Sequence, residues 1–316
     1  MMRRKSIIIG IKGFSLTVEE INLIKTEKPW GVILFSRNIK NINQLKSLVT
    51  NIKNIVHDKN YPILIDQEGG DVSRLNKIID FSLFSQNFFG KLYEKDKEKF
   101  FQYYKIYIDR VCDILKYVGI NINTLPVLDV RRKNTHKIIF NRSFSSDTST
   151  VSKIGKLCIN LFKKNKIATV MKHIPGHGLS KYDSHSELPV IKSKKNKLIN
   201  IDFKPFKECD SLFAMTAHVV YSSYDSVYSA THSKIVIDKV IRKHIGFKGL
   251  LISDDISMKA LRYGLKNNAL KALKAGCNLI LHCNSNMNEL RQLIKIVPLI
   301  DSFTQKKTSH FSKFIG

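Results

Sequence analysis

Leu250-Leu251-Ile252-Ser253-Asp254-Asp255 is an apolar run that stops on two acids. A short continuous run of this kind reads as a strand buried on both faces. The form recurs at Ile7 to Ile11, Val32 to Phe35, Ile63 to Asp66, Ile120 to Asp129, Thr169 to His173, Leu212 to His218, Leu250 to Asp254 and Leu279 to His282. Each run is followed by a longer polar-apolar mixture of helical period, the signature of repeated βα units and a parallel sheet. Between the first two, Thr17-Val18-Glu19-Glu20 is a capping box and predicts a helix start. Eight such units predict an α/β fold, a single-domain (β/α)8 TIM-type barrel over residues 1–316. The rival doubly wound sheet lacks the G-x-G-x-x-G turn after its first strand. No Pro, Gly or Ser tether divides the chain, and the lysine-rich segment from Lys306 reads as a frayed end.

With 316 residues, 43% of them hydrophobic, the chain can bury a large core. No uninterrupted apolar run approaches the roughly 18 residues of a membrane span, so no membrane partner is expected. Met1-Met2-Arg3-Arg4-Lys5 mimics a signal peptide's charged start, but the apolar stretch after it is too short and lacks a cleavage site. Cys112, Cys158, Cys209, Cys277 and Cys283 are odd in number and scattered, which argues against a disulfide framework or a zinc ribbon and fits a reducing cytoplasm. The net charge of +27 raises nucleic acid as a partner. The lysines are spread along the chain without interleaved aromatics, which favours a solvated surface over a nucleic-acid groove, so no nucleic-acid partner is expected.

Polar residues collect where the apolar runs end: Asp66-Gln67-Glu68, Lys172-His173, His218 and Asp254-Asp255. In a (β/α)8 barrel those ends share one face, where active sites are built. Asp254 there is partly desolvated and suits nucleophilic attack, whereas Asp255 capping a following helix and Asp254 pairing with a lysine is the structural alternative. Lys172-His173-Ile174-Pro175-Gly176-His177-Gly178 is too glycine-rich for a helix and reads as a catalytic loop, its glycines allowing close backbone approach. Asp183 and His185, two positions apart, can form a dyad in which the carboxylate orients the ring and His185 exchanges protons near neutral pH. Asp66 and Arg74 bracket Gly69-Gly70, and Arg142 offers a fork of donors suited to carboxylates or paired sugar oxygens. A metal site from His173, His177, His185, His218 and Asp254 is disfavoured, since no His-x-His or His-Glu-x-x-His pattern occurs and Lys172 would repel a cation.

The loop from Lys172 to His185 resembles the signature loop of the family 3 glycoside hydrolases, specifically the bacterial β-N-acetylhexosaminidases of the NagZ type. Ile65-Asp66-Gln67-Glu68-Gly69-Gly70, Pro126-Val127-Leu128-Asp129-Val130, Asn141-Arg142-Ser143-Phe144 and Ile252-Ser253-Asp254-Asp255-Ile256-Ser257-Met258 are similar to its other motifs, in the same order. Gly31 to Asn38 and Ala275-Gly276-Cys277-Asn278 extend the resemblance over nearly the whole chain. Ile174, where the family loop often has phenylalanine, removes no functional group. The resemblance implies a retaining hydrolase that takes terminal β-linked N-acetylglucosamine from muropeptides and anhydromuropeptides, as a cytoplasmic monomer without metal or other cofactor. It implies Asp254 as nucleophile, His185 as acid and then base, and Asp183 as the carboxylate that steers it. Asp66, Arg74, Arg142, Lys172 and His173 match positions that hold the sugar's hydroxyls. A phosphorylase on the same scaffold, or a non-catalytic sugar-binding barrel, stays open as an alternative. The basic run Arg131-Arg132-Lys133 fits the general lysine excess better than a dedicated anion site.

Overall fold

The computed structural model describes residues 4–133, 135–180 and 187–316. In chain order the strands are β1 (Lys5–Gly10), β2 (Pro29–Leu34), β3 (Ile63–Ile65), β4 (Ile122–Asn123), β5 (Ala168–Ile174), β6 (Val190–Ile191), β7 (Phe213–Thr216), β8 (Val220–Tyr221), β9 (Leu250–Asp255) and β10 (Leu279–His282). Eight of them close into a parallel barrel in the order β1-β10-β9-β7-β5-β4-β3-β2, while β6 and β8 pair separately. Every barrel strand overlaps one of the eight predicted apolar runs. The runs are continuous because both faces of each strand are buried, and alternation along the strand divides them between two cores. Ile7 and Ile9 of β1 join the layer packed under the helices, as do Val32, Leu34, Ile63, Ile65 and Leu251. Ile8, Ile33, Leu64, Val170, Leu250 and Ile252 point the other way and fill the barrel.

Local signals set the helix starts. Glu20 N–H donates to Thr17 Oγ1 at 3.2 Å, and Thr17 N–H donates to the Glu20 carboxylate at 2.8 Å, so the predicted capping box is formed at the head of the helix Val18–Glu27. The segment from Lys306, expected to fray, is instead part of a helix, Ser302–Ile315, whose first turn is capped by Asp301 accepting from Thr304 N–H at 2.7 Å. Its Phe311 is fully buried and meets Trp30 and Phe213 at ring-centroid distances of 6.4 and 5.5 Å. Trp30 Nε1–H donates to Thr308 Oγ1 at 2.8 Å. The helix therefore plugs the N-terminal end of the barrel. Among the described residues no helix is long and apolar enough to cross a membrane.

Two buried titratable groups outside the barrel mouth couple this packing to pH. Burial pushes the His232 imidazole down to about 4, against the pull of the Asn268 carbonyl that its Nε2 meets at 3.1 Å. Burial pushes Asp202 up to about 6, only partly offset by the Arg132 guanidinium 3.3 Å away.

Two expectations follow. Phe311→Ala removes the aromatic plug and should lower stability by about 3–5 kcal/mol in urea unfolding, with a native-like circular dichroism spectrum; a change within error would mean the helix is not an integral part of the fold. Between pH 6.5 and 4 the unfolded chain protonates the counterpart of His232 and the folded chain does not, so that group's contribution is lost as pH falls through this window. Asp202 acts oppositely, since the folded state takes up its proton first. Asp202→Asn should therefore steepen the drop in urea midpoint between pH 6.5 and 4.5, and an unchanged slope would remove Asp202 from the balance.

Candidate active site

The C-terminal ends of β3, β5 and β9, with the segments after them, surround a cavity of about 410 Å³ lined by Asp66, Glu68, Arg74, Arg142, Lys172, His173 and Asp254 among others. That size lies within the range of small-ligand sites. Six predicted site residues, scattered over nearly 190 positions of sequence, are thus brought to one cavity. The expectation for Asp183 and His185 falls on residues outside the described ones.

Lys172 leaves β5 almost wholly buried and finds three acceptors: Glu68 Oε1 at 2.6 Å, Thr124 Oγ1 at 2.9 Å and Asp66 Oδ1 at 3.0 Å. Two of these contacts, to Thr124 and Asp66, are hydrogen bonds, and the third is an ion pair with Glu68. Thr124 also donates its hydroxyl to Asp66, and Arg74 lies 3.7 Å from the other Asp66 oxygen. Burial alone would raise the Asp66 carboxyl, but Lys172, Arg74 and the Thr124 hydroxyl together hold it below the usual range. Arg142 grips Glu68 with two parallel bonds of 2.9 Å. Burial would also raise Glu68, and here Arg142 and Lys172 outweigh it, keeping a fully buried carboxylate ionised.

His173 is oriented from both sides. Its Nδ1 lies 2.7 Å from Asp129 Oδ2, and its Nε2 lies 3.4 Å from Arg142 Nη2. Arginine can only donate, so Nε2 accepts there and Nδ1–H points to Asp129. Asp129 Oδ1 also accepts the backbone amides of His177 at 2.6 Å and His173 at 3.3 Å. One buried carboxylate therefore holds both the ring and the loop that follows it.

That loop lies as close to its surroundings as its glycines predict. Gly176 has φ of 139°, and a Cβ there would stand 2.8 Å from the Asp202 carbonyl oxygen. At Gly178 a Cβ would fall 1.9 Å from Val130 O. Tyr221 donates its hydroxyl to Gly176 O, and Thr135 Oγ1 donates to Gly178 O at 2.6 Å.

Asp254 ends β9 with Oδ1 accepting the Asp255 N–H at 2.8 Å. Burial would raise its carboxyl, but His218, His173, that amide and Lys172 hold it low, so the group stands as carboxylate. The structural alternative for the pair does not hold. Among the described residues no lysine is within ion-pair distance of Asp254, and the chain after Asp255 turns instead of entering a helix. Asp255 accepts from Ser257 Oγ at 2.9 Å, from Ser257 N–H at 3.0 Å and from Cys283 N–H at 3.3 Å. The basic run is absorbed internally: Arg131 donates to Asn87 and lies over the Phe140 ring, and Arg132 faces Asp202.

Glu68, Thr124 and Asp129 are parts of this site to which sequence reading gave no role. Glu68 follows a strand end and sits two residues from Asp66, a signal that could have flagged it. Asp129 likewise closes the run from Ile120, whereas Thr124 carries no such signal, its partner Asp66 lying more than 40 positions away.

Known proteins agree with this architecture. The description "Glycosyl hydrolase family 3 N terminal domain" matches residues 6–308. A β-hexosaminidase of Psychromonas ingrahamii is 32% identical over 320 residues, covering 97% of this chain and 89% of that protein. One of Neisseria gonorrhoeae is 34% identical over 288 residues, covering 89% and 78%. The crystal structure of NagZ from Neisseria gonorrhoeae in complex with zinc ion superposes with a TM-score of 0.87 at 28% identity, covering 98% of this chain and 90% of that one. Barrel, cavity and relatives together place the chain in glycosyl hydrolase family 3.

Proposed function

We propose that the chain is a retaining exo-β-N-acetylglucosaminidase that removes terminal β-linked N-acetylglucosamine from muropeptides and anhydromuropeptides, as a cytoplasmic monomer without a cofactor, in the recycling of cell-wall fragments. The observation that carries this reading is a strand-end carboxylate, Asp254, facing the same cavity as a preorganised polar wall of Asp66, Glu68, Arg142, Lys172 and His173. The names of the relatives, β-hexosaminidases, support the choice of sugar.

In this reading Asp254 Oδ2 attacks the anomeric carbon while imidazolium at His185, steered by Asp183, gives its proton to the departing oxygen. The neutral imidazole then takes a proton from water, the water oxygen joins the anomeric carbon, and the ester to Asp254 breaks. A His-Asp dyad thus replaces the carboxylic acid of the usual two-carboxylate glycosidase. Asp66, Arg74, Arg142 and His173 hold the sugar's hydroxyls. Lys172 joins them from the cavity wall, where it also keeps the Asp66 carboxylate ionised and fixed. Hydrogen bonds that tighten as the ring distorts raise the rate and not only the affinity.

Asp254→Asn should abolish turnover of an aryl N-acetylglucosaminide, and the wild-type enzyme should be labelled at Asp254 by a slow fluoro-sugar, with free N-acetylglucosamine as the product even when phosphate is present. Near wild-type activity in the variant together with no label would defeat the mechanism, and a sugar 1-phosphate product would turn the enzyme into a phosphorylase. Replacing His185 should slow substrates with poor leaving groups far more than an activated dinitrophenyl glycoside, which needs little protonation in the first step. Equal losses across the series of leaving groups would remove His185 from that step.

A further inference from the structure

Behind Asp254 lies a buried polar chain that the proposed mechanism does not use. Thr216, His218 and Thr231 are each fully inaccessible to solvent. Thr216 Oγ1 is 2.8 Å from Thr231 Oγ1, Thr231 Oγ1 is 2.7 Å from His218 Nδ1, and His218 Nε2 is 3.0 Å from the backbone carbonyl of Asp255. A carbonyl only accepts, so Nε2 carries a proton whichever way the hydroxyls turn. Buried side chains that satisfy one another this fully rigidify what they touch.

What they touch is residue 255, and every polar group of that residue is taken. Its carbonyl is held by His218 and by the Met258 amide at 3.1 Å, its carboxylate by Ser257 and the Cys283 amide, and its own N–H is the donor to Asp254 Oδ1. Just beyond, Asn268 donates to the Ile256 carbonyl at 3.2 Å, continuing the anchoring of the same turn. One oxygen of Asp254 thus leans on a residue clamped at every polar group, while Oδ2 accepts no hydrogen bond from any described residue. His218 does not line the cavity itself.

We infer that His218, backed by Thr231 and Thr216, is a positioning residue for the reaction. By pinning the Asp255 carbonyl it fixes the residue whose N–H carries Asp254 Oδ1 and so aims Oδ2 at the anomeric carbon. The inference rests on Asp254 being the nucleophile. Misplacement of a reacting atom by about 1 Å costs about 10²-fold in rate, so loosening the clamp acts on chemistry before it acts on affinity.

The test compares His218→Leu, which removes the donor, with His218→Gln, whose amide can still reach the Asp255 carbonyl, and with Thr231→Val, which frees the ring's far side. Three quantities are read: the rate constant of covalent labelling by a slow fluoro-sugar donor, kcat and KM on a dinitrophenyl N-acetylglucosaminide, and the Kd for N-acetylglucosamine. His218→Leu should lower both the labelling rate and kcat by about 10²-fold while KM and Kd stay within about twofold, with substantial recovery in His218→Gln and a smaller loss in Thr231→Val. An activated leaving group should not rescue His218→Leu, because the defect lies in attack and not in protonation. Labelling of His218→Leu at the wild-type rate would overturn the inference, as would a parallel loss of Kd in His218→Gln or Thr231→Val. Should His218→Leu not fold, wild-type labelling rates in both milder variants would overturn it equally. Failure of the wild-type enzyme to label at Asp254 is a separate outcome and would bring down the mechanism beneath the inference as well.

Discussion

The Lys172 ammonium, closed in by Glu68, Asp66 and Thr124, is the contact around which the barrel mouth is arranged. A buried charge is tolerated only when paired and fully hydrogen-bonded, and breaking such a pair leaves an uncompensated charge. Lys172 comes from β5, Asp66 and Glu68 follow β3, and Thr124 follows β4, so a single ammonium ties three neighbouring strand ends together. Arg142 closes the ring from outside the barrel by taking the remaining Glu68 oxygen and touching His173. The chain carries a net charge of +27, yet the cavity is lined by Asp66, Glu68, Asp71, Asp254 and Asp255 against Lys172, Arg74 and Arg142. The excess of cations therefore belongs to the surface, while the mouth of the barrel carries more carboxylates than cationic side chains.

The barrel was legible in the sequence because its cause is local and repeated. Eight strands buried on both faces must each be a short apolar run, and each run ends where the chain emerges into the cavity. Asp66, Lys172, His173 and Asp254 were legible for the same reason, since a charged side chain directly after such a run has nowhere else to point. Glu68, Asp129 and His218 also stand at the ends of apolar runs, but their roles, like that of Thr124, come from partners on other strands and are not announced by their own neighbourhood. The last helix was misread because Lys306, Lys307 and Lys313 dominate its composition. The residues that bury it, Thr304, Thr308, Phe311, Phe314 and Ile315, recur at helical spacing but place their large apolar side chains only in the last turn and a half.

The two ends of the barrel follow different physics. At the N-terminal end Trp30, Phe213 and Phe311 pack edge to face, and the only buried polar atom of the group, the Trp30 N–H, is satisfied by Thr308. Damage there opens a cavity and acts on stability. At the C-terminal end the buried groups are ionised and held by one another, so damage leaves a charge or a donor without its partner. His218 lies between these regimes. It is as buried as the aromatic plug, but one of its hydrogen bonds runs to the carbonyl of Asp255, the residue that supports Asp254, and not into an apolar core, so its removal should appear first as lost rate. A barrel whose lower half carries the apolar packing can devote its upper half to fixing one carboxylate, and the histidine chain under β9 is the part of that arrangement whose only evident purpose is the aim of Asp254.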